Sequence, residues 1–92
     1  MEIKIINLTG SFAENKDIAR EIRLKKIIPN LNKKVILNFE KIDGTTQSFI
    51  HALISDLIRK HGSEVLDKIL FKNCNENIKK IISIVVEYMQ ET

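Results

Sequence analysis

The sequence predicts a small α/β domain in which helices cover a sheet of three or four strands that is at least partly parallel. Its 92 residues suffice for one hydrophobic core, so we expect residues 1–92 to form a single domain. Hydrophobic residues make up 43% of the chain and charged residues 29%, which is typical of a folded globular protein. Short β-branched runs alternate with amphipathic helical patterns, and this alternation favours parallel strands joined by helices.

Two strands are predicted in the first half of the chain. Residues 3–8 are rich in Ile, partly alternate apolar with polar positions, and end at a Thr-Gly pair. Residues 35–39 (VILNF) form a continuous apolar run with a single Asn, which is typical of a central, parallel strand covered on both faces. If the sheet has a fourth strand, we expect it near residues 7–12, as a hairpin partner.

A helix is predicted between these strands, over residues 13–28, from Ile and Ala spaced along one helical face. Two N-caps fit its start: Ser11, with Glu14 three residues later as a capping box, or Asn15. The chain's one proline, Pro29, lacks a backbone donor and disfavours helical geometry at the residue before it. The helix is therefore expected to break or kink there.

The second half of the chain carries the clearest helical patterns. In residues 47–61, apolar side chains starting at Ile50 repeat at i, i+3, i+4, i+7 and i+8, which predicts a helix. A short helix-like segment follows at 64–67, and residues 69–71 are a third strand candidate. Residues 76–90 carry apolar side chains on one face and predict the last helix.

The charge distribution argues against nucleic-acid binding. Fifteen Lys and Arg against twelve Asp and Glu give a net charge of +3. The positive residues occur as scattered lysine pairs at 25–26, 33–34 and 79–80, whereas a nucleic-acid binder concentrates basic charge on one face. These lysines are expected to be solvated surface residues.

The single cysteine and the absence of long apolar runs bear on localisation. Cys74 alone permits neither an intrachain disulfide nor a multi-cysteine zinc site, which fits a reducing compartment. The first residues lack a signal-peptide pattern, and no uncharged apolar run approaches the ~18 residues that a membrane span needs. We expect a cytoplasmic protein that does not bind membranes.

The candidate functional segment is the strand-to-helix connection at 43–48. In open α/β sheets, sites collect where a strand's carboxyl end leads into a helix, because the loop is exposed and the helix start presents free N–H groups. The alternative is helix capping, with Thr45 or Thr46 as N-cap, Asp43 in a turn and Gly44 at an unusual φ. Both interpretations can hold together. The candidate residues for partner binding or phosphorylation are Asp43, Thr45, Thr46, Gln47, Ser48 and His51.

No catalytic, cofactor or metal site is predicted. His51 and His61 lie about 15 Å apart along one predicted helix, too far for a shared metal. Cys74 has no evident activating partner, and the three glycines are too widely separated to form a phosphate-binding loop. An enzyme would need Asp43, His51 and a hydroxyl to converge. We expect a protein that is not an enzyme.

Several of these segments carry a family resemblance. Val35-Ile36-Leu37-Asn38-Phe39, followed by Thr46-Gln47-Ser48-Phe49 entering an aliphatic helix, resembles the "VxLDxxxVxxxDSSG" core of STAS domains. The likeness is closer to the STAS-like domain of unknown function DUF4325. Its Phe-Ala before the first helix, its "vvlDF" strand and its "tqSF" helix start are met here by residues 12–13, 35–39 and 46–49. The segment FKNCNENIKKII at 71–82 continues the likeness.

The resemblance implies a regulatory function. STAS-domain anti-sigma-factor antagonists are controlled by phosphorylation of a Ser at this helix start by a partner kinase of the GHKL ATPase type. Aligning the strands places Gln47 at the acceptor position, so Ser48 or a neighbouring Thr would have to substitute. The resemblance implies a partner-switching module that docks a GHKL-type kinase or an anti-sigma-like protein through residues 43–48 and the exposed helix face of Gln47, His51 and Ser55.

Two alternatives stay open beside protein binding. The chain can be a small nucleic-acid-associated regulatory protein if its lysine pairs gather on one surface. It can also form a homodimer through an apolar face left uncovered by the helices. The sequence does not fix the oligomeric state or the identity of the partner.

Overall fold

Three parallel strands under a layer of helices form the body of the computed structural model, which describes residues 1–90. Along the chain the elements are β1 (Glu2–Lys4), α1 (Ile6–Thr9), β2 (Phe12–Ala13), α2 (Lys16–Ile22), β3 (Val35–Asn38), β4 (Gly44–Thr45), α3 (Gln47–His61), β5 (Ile69–Lys72) and α4 (Glu76–Gln90). The main sheet has the order β1-β3-β5, and both pairings are parallel. The predicted α/β class with a parallel sheet is confirmed.

One face of the main sheet forms the floor of the hydrophobic core. In register across the sheet, Ile3 lies beside Leu37 and Val35 beside Ile69, and all four side chains are buried. Above them, α3 lies between α2 and α4 and packs against both. The buried apolar side chains of the described residues make one cluster, because each helix turns its apolar stripe toward the same face of the sheet.

The opposite face of the main sheet is open. Glu2, Lys4, Leu70 and Lys72 alternate with the buried positions of β1 and β5, and all four are exposed. The expected central, parallel position of residues 35–39 is confirmed, but their expected coverage on both faces is wrong. No helix of residues 1–90 packs on the side of Ile36, which is only half-buried.

Two further strands, β2 and β4, form a small separate sheet. They pair in parallel, with Phe12 beside Gly44 and Ala13 beside Thr45. An additional strand near residues 7–12 is therefore present in part, but its hairpin pairing is wrong. Residues between β1 and β2 form α1 instead, where the N–H of Thr9 donates to the carbonyl oxygen of Ile5 at 3.0 Å. The first predicted strand accordingly ends at Lys4 rather than at residue 8.

The boundaries of α2 settle the choice between its two N-caps. The Asn15 side chain accepts hydrogen bonds from the N–H groups of Asp17 and Ile18, so Asn15 is the N-cap and the Ser11 capping box is wrong. After α2 the chain widens into a π-helical turn over Arg23–Ile27 and tightens into a 3₁₀ turn at Ile28–Asn30. The break expected at Pro29 is thus a change of helix type.

The two later helices have the bounds that their apolar spacing predicts. They run from residue 47 to 61 and from 76 to 90. The short segment between α3 and β5 is a 3₁₀ helix over Ser63–Lys68. Among residues 1–90, none of the helices has the length and apolar content needed to cross a bilayer.

Candidate functional site

The starts of α2 and α3 lie side by side at the carboxyl edge of the sheet. The pairing of β2 with β4 brings them together, because α2 begins three residues after β2 and α3 two residues after β4. Thr46 is the N-cap of α3, and its hydroxyl oxygen accepts a 3.1 Å hydrogen bond from the N–H of Phe49. The start of α3, a helix of 15 residues, presents free backbone N–H groups at this corner.

Two of the candidate hydroxyls at this corner are occupied by structural hydrogen bonds. Thr45 is 6% exposed, and its hydroxyl donates to the carbonyl oxygen of Ala13 at 2.7 Å. Thr46 accepts the capping bond described above. The Ser48 hydroxyl makes no hydrogen bond to residues 1–90 and is exposed at the start of α3. Ser48 is therefore the candidate hydroxyl that another molecule can reach.

The connection before α3 differs from the expected turn. Gly44 does not have a left-handed φ, so the expectation of an unusual φ there is wrong. A Cβ at Gly44 would stand 2.7 Å from Cε1 of Phe12, so a larger residue here would have to displace the exposed Phe12 ring. Asp43 is exposed, and its carboxylate bonds to none of the described residues. Its backbone N–H donates to the carbonyl oxygen of Ser11 at 2.7 Å.

The outer face of α3 forms the floor of a groove of about 660 Å³. The groove faces away from the sheet, because the α3 residues in its floor lie on the side of the helix opposite the apolar side chains that pack into the core. The flanking helices α2 and α4 form its two sides. We call it the α3 groove, and it is lined by Lys16, Arg20, Arg23, Gln47, Ser48, His51, Ala52, Ser55, Asp56, Arg59, Ile84, Val85 and Tyr88.

Arg23 ties α2 to α3 across the floor of the α3 groove. Its side chain is 11% exposed, and Nη1 donates to the carbonyl oxygen of Ala52 at 2.8 Å and pairs with Asp56 at 3.2 Å. Arg59 pairs with the same carboxylate at 3.3 Å. Among residues 1–90, Asp56 is the only acidic residue that lines the groove, so this lining carries an excess of positive charge.

The candidate residues divide between the groove and the connection. Gln47, Ser48 and His51 line the groove together, and Nδ1 of His51 lies 3.4 Å from the Ser55 hydroxyl. Ser55 is only 3% exposed, so its expected place on an exposed helix face is wrong. Asp43, Thr45 and Thr46 do not line it. The convergence of Asp43, His51 and a hydroxyl that an enzyme would need is therefore not found.

The other titratable candidates stay apart as well. His61 ends α3 and is exposed, while His51 is half-buried in the groove. In the part of the chain that the structure describes, no three His, Cys, Asp or Glu side chains are grouped to bind a metal ion. Burial raises the pKa of the Cys74 thiol, with Lys79 opposing the shift, so this thiol is less ionised than a free cysteine.

The lysine pairs at 33–34 and 79–80 do not lie on one surface. The pair at 33–34 precedes β3, whereas the pair at 79–80 lies in α4, which follows β5. Since the strands are parallel, these pairs lie toward opposite edges of the sheet. The basic residues of the α3 groove are a different set, drawn from α2 and α3.

Comparison with protein families shows to which family the chain belongs. The STAS-like domain of unknown function (DUF4325) matches residues 19–79, about two thirds of the chain. The chain belongs to this family. The match begins within α2 and includes β3, β4, α3 and β5, so it covers the central part of the fold. Neither the curated proteins nor the solved structures gave a match.

The DUF4325 match covers the floor of the groove but only part of its sides. Arg20, Arg23 and every floor residue of α3 lie within it, while Lys16, Ile84 and Tyr88 lie outside it. The sequence alone misses the contributions of α2 and α4, because they depend on which helices flank α3. Within α3, a signal was present: Ser48, Ala52, Ser55 and Arg59 follow each other at three- or four-residue spacing on the face opposite the apolar stripe.

Proposed function

We propose that this DUF4325 protein is a non-enzymatic regulatory module that binds another protein through the α3 groove. One observation carries the proposal: Gln47, Ser48 and His51 line a single groove that opens away from the core. The side chains of Gln47 and Ser48 are exposed and make no hydrogen bond to residues 1–90, so they are free to meet a partner. The resemblance to anti-sigma-factor antagonists favours a GHKL-type kinase or an anti-sigma-like protein as the partner, and the cytoplasm as the location.

Phosphorylation of Ser48 is the switch that we propose for this binding. Gln47, at the family's acceptor position, has no hydroxyl, and the hydroxyls of Thr45 and Thr46 are bonded within the fold. Ser48 is exposed in the first turn of α3, where free N–H groups and the helix dipole favour a phosphate. Lys16 lines the same groove and supplies a cation for it.

A capture experiment with matched variants tests the binding. The tagged protein, the double variant Gln47→Ala/His51→Ala and the control His61→Ala/Gln90→Ala are each incubated with native lysate. The control removes the same two residue types at exposed positions outside the groove. A protein retained by the wild type and the control but lost from the groove variant supports the proposal. Equal retention by all three proteins, or by none, contradicts it.

Mass spectrometry of the captured complex tests the switch separately. After incubation with ATP, we expect phosphate on Ser48, its loss in Ser48→Ala and its persistence in the control Ser63→Ala. Ser63 is exposed and also begins a helical turn, but it lies outside the groove. A stable complex that carries no phosphate would remove the switch and leave the binding proposal standing.

A further inference from the structure

The charges of the α3 groove are unbalanced. In the part of the chain that the structure describes, four cationic side chains line it, and Asp56 is the single carboxylate. In the floor, Arg23 and Asp56 neutralise each other at 3.2 Å. At the sides, Lys16 has no ion pair with the described residues, and Arg20 pairs only with Asp17, which is 80% exposed and does not line the groove. Such exposed pairs stabilise little, so these cations can bind carboxylates from another molecule.

Cations lie near both ends of the α3 face that forms the floor, and apolar side chains of α4 line one side of the groove. Lys16 belongs to the helix start beside Ser48, whereas Arg59 lies eleven residues farther along α3, about 16 Å away along the axis. Ile84 and Tyr88 of α4 line the groove and are 43% and 55% exposed. Large apolar side chains that a fold leaves exposed beside a groove are typical of a protein-binding surface.

From this arrangement we infer that the occupant of the groove is an acidic segment of a partner protein, with carboxylates near both of its ends and an aliphatic or aromatic side chain that contacts α4. The inference rests on the proposed function and names the chemistry of the partner. A peptide fits better than a nucleic acid, because a peptide can place an apolar side chain against Ile84 and Tyr88, whereas contacts to a phosphate backbone would leave this side of the groove unused.

A defined peptide tests this inference without knowledge of the partner. The probe is a fluorescein-labelled amphipathic peptide, about 20 Å long as a helix, with Glu in both terminal turns and Leu in the middle. Two further peptides replace every Glu by Lys or every Leu by Gln. Binding is measured by fluorescence anisotropy. We expect saturable binding of the probe, no binding of the Lys peptide and weaker binding of the Gln peptide, which keeps all of the probe's charge.

Variants of the protein locate the binding. Arg20→Gln/Arg59→Gln should weaken binding of the probe about fivefold or more, because two exposed ion pairs with its carboxylates are lost. The control Lys33→Gln/Lys34→Gln removes the same charge outside the groove, and it should change binding by less than about twofold. Arg20 and Arg59 are 54% and 59% exposed, so their replacement leaves the core intact. Tyr88→Ala should also weaken binding of the probe, since Tyr88 supplies apolar surface for the central Leu.

The outcomes separate this inference from the proposed function. Equal weakening by the two charge variants, or binding of the Gln peptide as tight as that of the probe, would overturn it as unspecific attraction. Single-stranded DNA that displaces the probe at lower concentration, and loses its own binding in Arg20→Gln/Arg59→Gln, would overturn it in favour of nucleic acid. A captured partner that depends on Gln47 and His51, together with a probe that does not bind, would overturn this inference alone.

Discussion

Asn38 connects the polar groups at the carboxyl edge of the open sheet face through hydrogen bonds. Its Nδ2 donates to Oε2 of Glu2 at 2.9 Å, and its Oδ1 accepts from the N–H of Glu40 at 2.9 Å and from Nδ2 of Asn73 at 3.0 Å. It is 4% exposed, so these partners replace the water that it loses. A single Asn in the otherwise apolar β3 is tolerated for this reason.

We predict that Asn38→Asp destabilises the fold near neutral pH. The new carboxylate keeps the two accepted hydrogen bonds but faces Glu2, so a hydrogen bond becomes a repulsion between two carboxylates. The expected loss is about 1–3 kcal/mol in the free energy of unfolding, measured by urea titration. Adding Glu2→Gln should recover most of it, because the Gln amide can donate to Asp at 38. Equal stability of Asn38→Asp and the wild type would show that the fold does not need the hydrogen bond that the Asn38 amide donates to Glu2.

The same contact makes stability depend on pH. The hydrogen bond from Asn38 is the main cause that holds the pKa of Glu2 below the ordinary 4.5, aided by Lys72 and Lys4 and opposed by burial. A carboxyl whose folded pKa is lowered stabilises the fold above its unfolded pKa, and this contribution is lost as pH falls through the folded value. Between about pH 5 and pH 3, the wild type should therefore lose more stability than Glu2→Gln in urea titrations. Parallel curves for the two proteins would contradict this assignment.

At the scale of elements, the spacing of apolar residues predicts a helix accurately when that helix packs one apolar face against the core. Both α3 and α4 have an uninterrupted apolar stripe, and their predicted bounds agree with the structure. By contrast, β1 ends earlier than predicted, because Ile5 and Ile6 fit both a strand pattern and a helical pattern. The helical turn of α1 forms instead, since the N–H groups of Leu8 and Thr9 and the Thr9 hydroxyl donate to the carbonyl oxygen of Ile5. The Ile-rich segment after α2 gave no signal for its π-helical turn.

The candidate site shows the same limit. The sequence identifies Gln47, Ser48 and His51 because they share the polar face of a predicted helix. It cannot reveal that the Thr45 hydroxyl is used by Ala13, since that bond depends on the pairing of β2 with β4. Nor can it reveal Arg23 in the floor of the groove, because this contact depends on the packing of α2 against α3.

The one-sided cover of the main sheet gives a prediction for its strands. Leu37 is 0% exposed under the helices, whereas Leu70 on the open face is 53% exposed. Leu37→Ala should cost about 2–5 kcal/mol of unfolding free energy through lost burial and a cavity. Leu70→Ala should change it by no more than about 0.5 kcal/mol. Urea titration of both variants measures this. A large cost at Leu70 would mean that another part of the protein covers the open face.

The whole molecule presents two surfaces of different kinds on its opposite sides. The α3 groove is formed by helices that the core holds in place, so its outward side chains can change without loss of the fold. The open sheet face is small and carries Glu2, Lys4 and Lys72 beside Leu70, so charged side chains limit its apolar area. The proposed partner binding is therefore assigned to the helical side, because that side is both recessed and unbalanced in charge.

If the single apolar cluster makes residues 1–90 one cooperative unit, Cys74 should report global unfolding. The thiol lies between β5 and α4 and packs partly buried against the cluster. Burial raises its pKa, so the folded protein holds less thiolate and should react slowly with iodoacetamide in mildly alkaline buffer. In increasing urea, the alkylation rate and the loss of helical circular dichroism should share one midpoint, as a two-state transition requires. A rate that rises at lower urea would show that the β5–α4 corner opens by itself, and that the fold has more than one unit.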